Sequence, residues 1–331
     1  MIRHWIGLFA MLAATGTWAA DDAGRRPTES AAPAIYDDTG DLSLKGAVVD
    51  LAATRDTDKF ERGVARAGAM VQYRSAYDFT AIGVSQNRFR QGDWSLEVNS
   101  LVAALRKIDR ATAEGIMVRG EVAVKGGRTK FHGEGDWNIR FSKATGVELI
   151  ANRDAVETAQ ALQSGILANF FAASFDHAVT ERLTVIGMPT YRRFSDGNEQ
   201  TGLRGWIIYT LVPDYGLSVN LKARGYESAT NGGGAYFSPD RYERGEIGLR
   251  LRRAVGDWRV FATADLGKER INREIEKPTK QFALTMQRSF ANDASLGLQF
   301  AYYRASDSAN NLGDSDHYAW RMGRLFFTIP F

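Results

Sequence analysis

Residues 324–331 alternate with a period of two: Leu325, Phe327, Ile329 and Phe331 are apolar, and Arg324, Phe326, Thr328 and Pro330 stand between them. A period of two places successive side chains on opposite faces of an extended strand, so one face meets an apolar environment. A soluble sandwich can end on such a strand. A carboxy-terminal Phe closing it is the usual finish of a barrel in the bacterial outer membrane. Phe327, Ile329 and Phe331 are therefore read as a barrel insertion signal, addressed to the barrel assembly machinery and to outer-membrane lipid.

The other end of the chain agrees. Residues 1–19 read as a signal peptide, with Arg3 as the positive start, Trp5 to Ala14 as the apolar run and Thr17-Trp18-Ala19 as the cleavage site. That run is too short to cross a bilayer as a helix, and no later stretch is long enough either. Residues 20–41 are small and polar and read as a flexible periplasmic tail, leaving 42–331 for the barrel. Loss of Arg3 with the leader takes the net charge from +3 to +2. Charge so evenly mixed argues against a nucleic-acid binder. The absence of cysteine excludes disulfides, thiol catalysis and thiolate metal sites.

From residue 42 onward, strand-like runs alternate with turn signals, a rhythm of antiparallel β-structure rather than of βαβ units. In 131–141 one face holds Phe131, Gly133, Gly135, Trp137, Ile139 and Phe141, and the other His132, Glu134, Asp136, Asn138 and Arg140. In 116–125, Ile116, Val118, Gly120, Val122 and Val124 oppose Arg119, Glu121 and Lys125. Similar dyads set Ile247, Leu249 and Leu251 against Arg244, Glu246, Arg250 and Arg252, and Trp258, Val260, Ala262, Ala264 and Leu266 against Arg259, Asp265 and Glu269. In a membrane barrel the charged face lines a wet lumen.

Connections read backwards from Phe331 alternate long and short: 306–316 long, 292–293 tight, 272–278 long, 256–257 tight, 228–240 long, 213–215 tight and 195–201 long. Short turns on the periplasmic side and long loops outside are the habit of outer-membrane barrels. In the amino-terminal half the parity weakens, because 103–113 reads as a longish link where a turn is expected. The pattern predicts an all-β, transmembrane antiparallel barrel of about 16 strands. Tyr77, Trp94, Tyr191, Tyr209, Tyr215, Tyr242, Trp258 and Trp320 fall near strand ends, where rings suit the headgroup level; high strand propensity explains them equally well.

No catalytic constellation stands out. A barrel hydrolase needs a serine beside a histidine, and after the leader only His132, His177 and His317 remain. His132 shares a face with Glu134, as a lumen network would have it; His177 falls at an expected periplasmic turn and His317 at the start of the last strand. Glu134 and Asp136 share a side, flanked by Lys130 and Arg140, as in a salt-bridged wall. Asp307, Asp314 and Asp316 read as a solvated acidic loop rather than a cation site. No cofactor and no metal is expected, and the chain reads as a non-enzyme.

A conduit for sugar needs polar groups for hydroxyls and rings for apolar sugar faces. The inward faces hold Arg204, Trp206, Asn220, Lys222, Arg224, Tyr226, Arg250, Arg252, Arg259, Asp265, Glu269, Gln299 and Tyr303, together with Arg119, Glu121, Glu134 and Arg140. Arginine is plentiful there, which favours neutral or anionic cargo over cationic. Arg–Glu networks also simply fill and rigidify lumens. The loop residues Tyr236, Phe237, Ser238 and Pro239 follow Gly232-Gly233-Gly234 and suit either an inward-folding gate or an anchor against the rim.

That Gly-rich loop leading into Tyr236-Phe237-Ser238-Pro239 and Tyr242 resembles the barrels of bacterial exopolysaccharide secretion. These are the export porins of cellulose and poly-N-acetylglucosamine, with the smaller YaiO-like barrels. Thr180–Thr184, Tyr191–Gly197 and Gly202–Trp206 look like the same family, so the resemblance spans about half the chain, residues 169–331. It implies a passive conduit for a polysaccharide chain, pushed from the synthase side. The large export porins carry a helical-repeat scaffold before the barrel, and no such repeat occurs in this sequence; either a separate periplasmic scaffold protein is the partner, or this barrel does a different job. A plugged surface barrel with a receptor or adhesin role, and a lipid or glycan hydrolase, are the alternatives.

Overall fold

The computed structural model describes residues 45–75, 77–109, 112–125, 128–230, 234–272, 274–290, 294–306 and 317–331. The expected leader, the whole of the expected tail, Gly232, Gly233, the expected turn at 292–293 and the acidic loop with Asp307, Asp314 and Asp316 lie outside them. Among the described residues sixteen strands form one closed antiparallel barrel, each paired to its neighbours in sequence. The first eight are β1 (Gly46–Asp56), β2 (Phe60–Ser75), β3 (Asp78–Gln91), β4 (Trp94–Ile108), β5 (Gly115–Lys125), β6 (Arg128–Arg140), β7 (Thr145–Ala155) and β8 (Leu167–Ala178). The rest are β9 (Leu183–Phe194), β10 (Glu199–Val212), β11 (Leu217–Ser228), β12 (Arg241–Val255), β13 (Trp258–Ile271), β14 (Lys277–Ser289), β15 (Ser295–Ser306) and β16 (His317–Pro330).

Closure is made by β1 and β16, in register from Gly46 opposite Pro330 to Asp56 opposite Trp320. It satisfies the two edges that an open sheet would leave, a requirement where no water can bond the backbone. The alternation along each strand sorts the side chains. On β10, Leu203 is 61% exposed while Gln200 is 6% exposed, and on β13, Leu266 is 59% exposed while Asp265 is 1% exposed. Apolar side chains accumulate on the outside, among them Leu51, Val84, Leu101, Phe131, Phe171, Leu221, Ile247 and Phe300. A continuous outer face of this kind is stable only against hydrocarbon. Leu325, Phe327, Ile329 and Phe331 lie on that face, opposite to inward Arg324.

Gly46 and Pro330 share the rim that carries the connections 109–114, 141–144, 179–182, 213–216 and 256–257. The opposite rim carries 57–59, 92–93, 156–166, 195–198 and the described parts of 229–240 and 272–276. Local chemistry shapes several turns. Pro213 opens a single 3₁₀ turn that Gly216 closes at φ +63°, where a Cβ would meet the Arg252 carbonyl at 1.8 Å. Gly256-Asp257 is a two-residue turn, Gly256 taking φ +57°.

Four expectations need correction. The connection expected at 195–201 is only 195–198, because Glu199–Thr201 already belong to β10, where Gln200 faces inward. The link expected at 103–113 is mostly strand: β4 runs to Ile108, and only 109–114 connect it to β5. His177 is not in a turn but on β8, its ring bonded to Thr145 Oγ1 at 2.9 Å. Among the aromatic residues near strand ends, Tyr242 and Trp320 are buried on the lumen side rather than placed at a headgroup level.

Candidate functional site

The inward faces divide by charge. From β9 to β13 they present Arg192, Arg204, Lys222, Arg224, Arg244, Arg250, Arg252 and Arg259 against Glu246, Asp265 and Glu269. From β5 to β8 they present Glu121, Glu134, Asp136, Glu148, Asp154 and Asp176 against Arg119, Lys130, His132 and Arg140. A lumen with one cationic and one acidic wall imposes a field on whatever occupies it.

Much of this charge is paired. Arg119 bonds Glu134 at 3.1 Å, and Arg66 bonds Glu121 at 2.9 Å and Asp50 at 3.1 Å. Asp50 also takes Arg324 Nε at 2.7 Å, which ties the closing strands together. Arg140 bonds Asp176 at 2.8 Å, Lys222 bonds Asp265 at 2.7 Å, and Asn220 bonds the same carboxylate at 3.2 Å. Arg224 donates to the Tyr242 hydroxyl at 2.9 Å, and Tyr242 and Tyr303 both donate to Glu269, at 2.8 and 2.6 Å. Arg250 lies over the Phe261 ring at 4.9 Å, and Arg259 reaches the Tyr77 hydroxyl at 3.2 Å. Arg252 faces inward two residues along from Arg250. Gln299 bonds Arg324 at 3.4 Å, and Trp206 packs on the cluster of Ile150, Phe170, Ala172 and Met188. His132 engages Asp154 at 3.0 Å. Among the described residues no group of three or more His, Asp or Glu is placed to hold a metal ion.

Nothing in the sequence marks the connection 156–166. It contains a short helix, α1 (Ala159–Ser164), whose start is capped by Thr158 Oγ1 accepting from the Ala161 amide. Gly165, at φ +70°, ends it. The segment packs against β3 and places Glu157 on Arg62 of β2, five strands round the wall from β7. It therefore crosses the lumen. Lys130 Nζ holds the Gly165 carbonyl at 3.2 Å, and Ala161 is fully buried. Burial drives the Glu157 carboxyl up to about 7, against the opposing pull of Arg62.

The loop before β12 meets this segment. Thr158 Oγ1 donates to the Ala235 carbonyl at 2.6 Å. Tyr236 stacks on Phe194 with ring centroids 4.4 Å apart, donates to Asp196 at 2.9 Å and accepts from Asn198 at 3.1 Å. Burial pushes the Tyr236 phenol upward. Ser238 accepts from Asn198 at 2.8 Å and donates to the Thr230 carbonyl at 2.8 Å; Pro239 is buried beside it. Phe237 packs edge-on against Tyr242 at 6.2 Å. These residues fasten the loop to the barrel mouth, and the element that spans the lumen is 156–166.

Beneath the two loops lies a cavity of about 90 Å³. Arg192, Arg204, Arg224, Gln200, Tyr226, Phe170 and Tyr236 line it, with Asp154 and Glu157 at its acidic side. Phe170 lies under two guanidinium groups, Arg192 at 5.4 Å and Arg204 at 5.8 Å. The β9 dyad placing Thr190, Arg192 and Phe194 inward against Pro189 and Tyr191 is legible in the sequence. Phe170 and α1 carry no comparable mark.

No protein-family model and no curated protein matches the chain. Among solved structures it is similar to a bacterial polysaccharide outer membrane secretin, with TM-score 0.60 and 13% identity over 87% of this chain and 99% of that one. Pseudomonas aeruginosa OpdQ (TM-score 0.42, 8% identity, 88% and 100% covered) and Acinetobacter baumannii OccAB1 (0.43, 12%, 92% and 99%) also align over most of their length. At such identities the likeness is one of fold. With its closed sheet, apolar outer face and charged lumen, the molecule has the fold of a β-barrel of the bacterial outer membrane.

Proposed function

We propose that the barrel is a conduit for an exopolysaccharide leaving the cell, working with a separate periplasmic scaffold protein. The supporting observation is the cationic wall of β9 to β12, where Arg192, Arg204, Arg224 and Arg244 stand with Tyr226 and Tyr242 and against Phe170 of β8 and Tyr303 of β15. Fixed guanidinium donors beside rings suit hydroxyl-rich or acidic sugars. The similarity to the polysaccharide secretin and the Tyr236–Pro239 resemblance lean the same way. Passage is diffusive, and the 156–166 segment must shift for a chain to pass. The test is conductance of the purified barrel in a planar bilayer and its block by oligosaccharides. Weaker block in Arg250→Ala and Trp206→Ala supports the reading; unchanged block counts against it.

The lumen-crossing segment favours a second reading, a surface barrel closed by its own loop. Absence of conductance in the intact chain and its appearance on loosening 156–166 separates a gated conduit from a permanently plugged barrel.

A further inference from the structure

We propose that the cavity formed by Arg192, Arg204 and Arg224 is a subsite for the carboxylate of an acidic sugar unit. The assignment of a sugar rests on the conduit reading; the anion chemistry rests on the site itself. Arg204 and Arg224 stand directly opposite each other across β10 and β11. Like charges in that relation destabilise a sheet. No carboxylate lies within ion-pair distance of either among the described residues. Elsewhere in the barrel Arg62, Arg66, Arg119, Arg140 and Arg324 each hold a carboxylate. At Arg204 and Arg224 cationic charge is thus left without a carboxylate partner.

The donors are also held in place. Arg192 and Arg204 share the Phe170 ring, and Gln200 accepts from Arg192 at 3.2 Å. Arg224 is fixed by the ring of Tyr242 at 4.9 Å and by its hydroxyl, while its Nε is buried without a hydrogen-bond partner. Guanidinium forks fixed before binding lose little entropy when they take a carboxylate in bidentate fashion. The two acids at the cavity edge are engaged elsewhere, Asp154 with His132 and Glu157 with Arg62. Tyr226 adds hydroxyl and ring surface for the sugar body.

Calorimetry on the full chain in detergent tests this with trigalacturonate, maltotriose and inorganic phosphate as probes. Trigalacturonate is expected to bind at least about tenfold more tightly than either of the others, a difference of about 1.4 kcal/mol. Arg204→Gln should remove that preference, Arg204→Lys should retain part of it, and Arg241→Gln at the exposed rim should leave it intact. Heat-modifiable migration checks folding of each variant, and Arg224→Gln serves should Arg204→Gln not fold. Equal binding of trigalacturonate and maltotriose, equal binding of phosphate, or an unaltered preference in Arg204→Gln overturns the proposal. Bilayer current is read separately. A barrel that binds trigalacturonate and never conducts loses the conduit, while one that conducts without binding loses only the subsite.

Discussion

Glu157 and Arg62 form an ion pair across the mouth of the barrel, joining the segment after β7 to β2. Glu157 is 4% exposed, and its second oxygen has no hydrogen-bond partner. Arg62 also holds Asn87 at 2.9 Å. A pair so removed from water contributes less net stability than its charge suggests, yet removing one partner leaves the other stranded.

Glu157→Ala should therefore loosen 156–166 rather than unfold the barrel. The expected local cost is about 3 kcal/mol, seen as faster amide exchange in α1 and its flanks while the strands stay protected. A rise in bilayer conductance should accompany it. Unchanged exchange across 156–166 would show that Lys130, Thr158 and the packing of Ala161 hold the segment without the ion pair.

The same carboxyl makes the docking pH-dependent. Its pKa rises from the usual carboxylate range to about 7 when docked, because burial outweighs Arg62. The docked state then binds more protons than the undocked one between the two values, so its stability falls as pH climbs through that window. Docking is favoured at about pH 4 and weakened by about pH 8. Protection of the α1 amides, taken relative to their intrinsic exchange at each pH, should fall over this interval, and Glu157→Gln should flatten the dependence.

Ile207 lies on the outer face of β10 near mid-strand, 45% exposed and paired with Leu221. Ile207→Arg should cost about 2–4 kcal/mol when folding is measured by urea titration in lipid vesicles. In a barrel resting in water the same change would be near neutral, so the measurement tests the lipid-facing assignment directly.

Gly216→Ala should be destabilising by at least about 1 kcal/mol, since the residue sits at φ +63° and the new Cβ would collide with the Arg252 carbonyl. Lower yield of the heat-modifiable form is the readout. A normal yield would mean that the 213–216 turn can shift away from β12.

Polarity along the chain marked the faces of the strands but not their ends. Gln200 and Thr201 read as loop because they are polar, yet Gln200 belongs to the wet interior of β10. Residues 103–108 read as a link, although Ala104, Arg106 and Ile108 simply continue the inward row of β4. In a barrel with water on the inside, the lumen and the rims are both polar, so hydropathy cannot separate strand from loop. Gly256-Asp257 and Pro213–Tyr215 were legible because backbone constraints, rather than polarity, define them.

The period-two pattern determined which side chains face lipid and which face water, including Arg204, Arg224 and the terminal Leu325 to Phe331 row. That pattern is a property of extended backbone and needs no distant partner. Closure and register decided the rest: Asp50 meets Arg324, Arg204 meets Arg224, and Glu157 crosses to Arg62. Those meetings depend on how a whole sheet curves and shears into a cylinder, and no local run of residues encodes them.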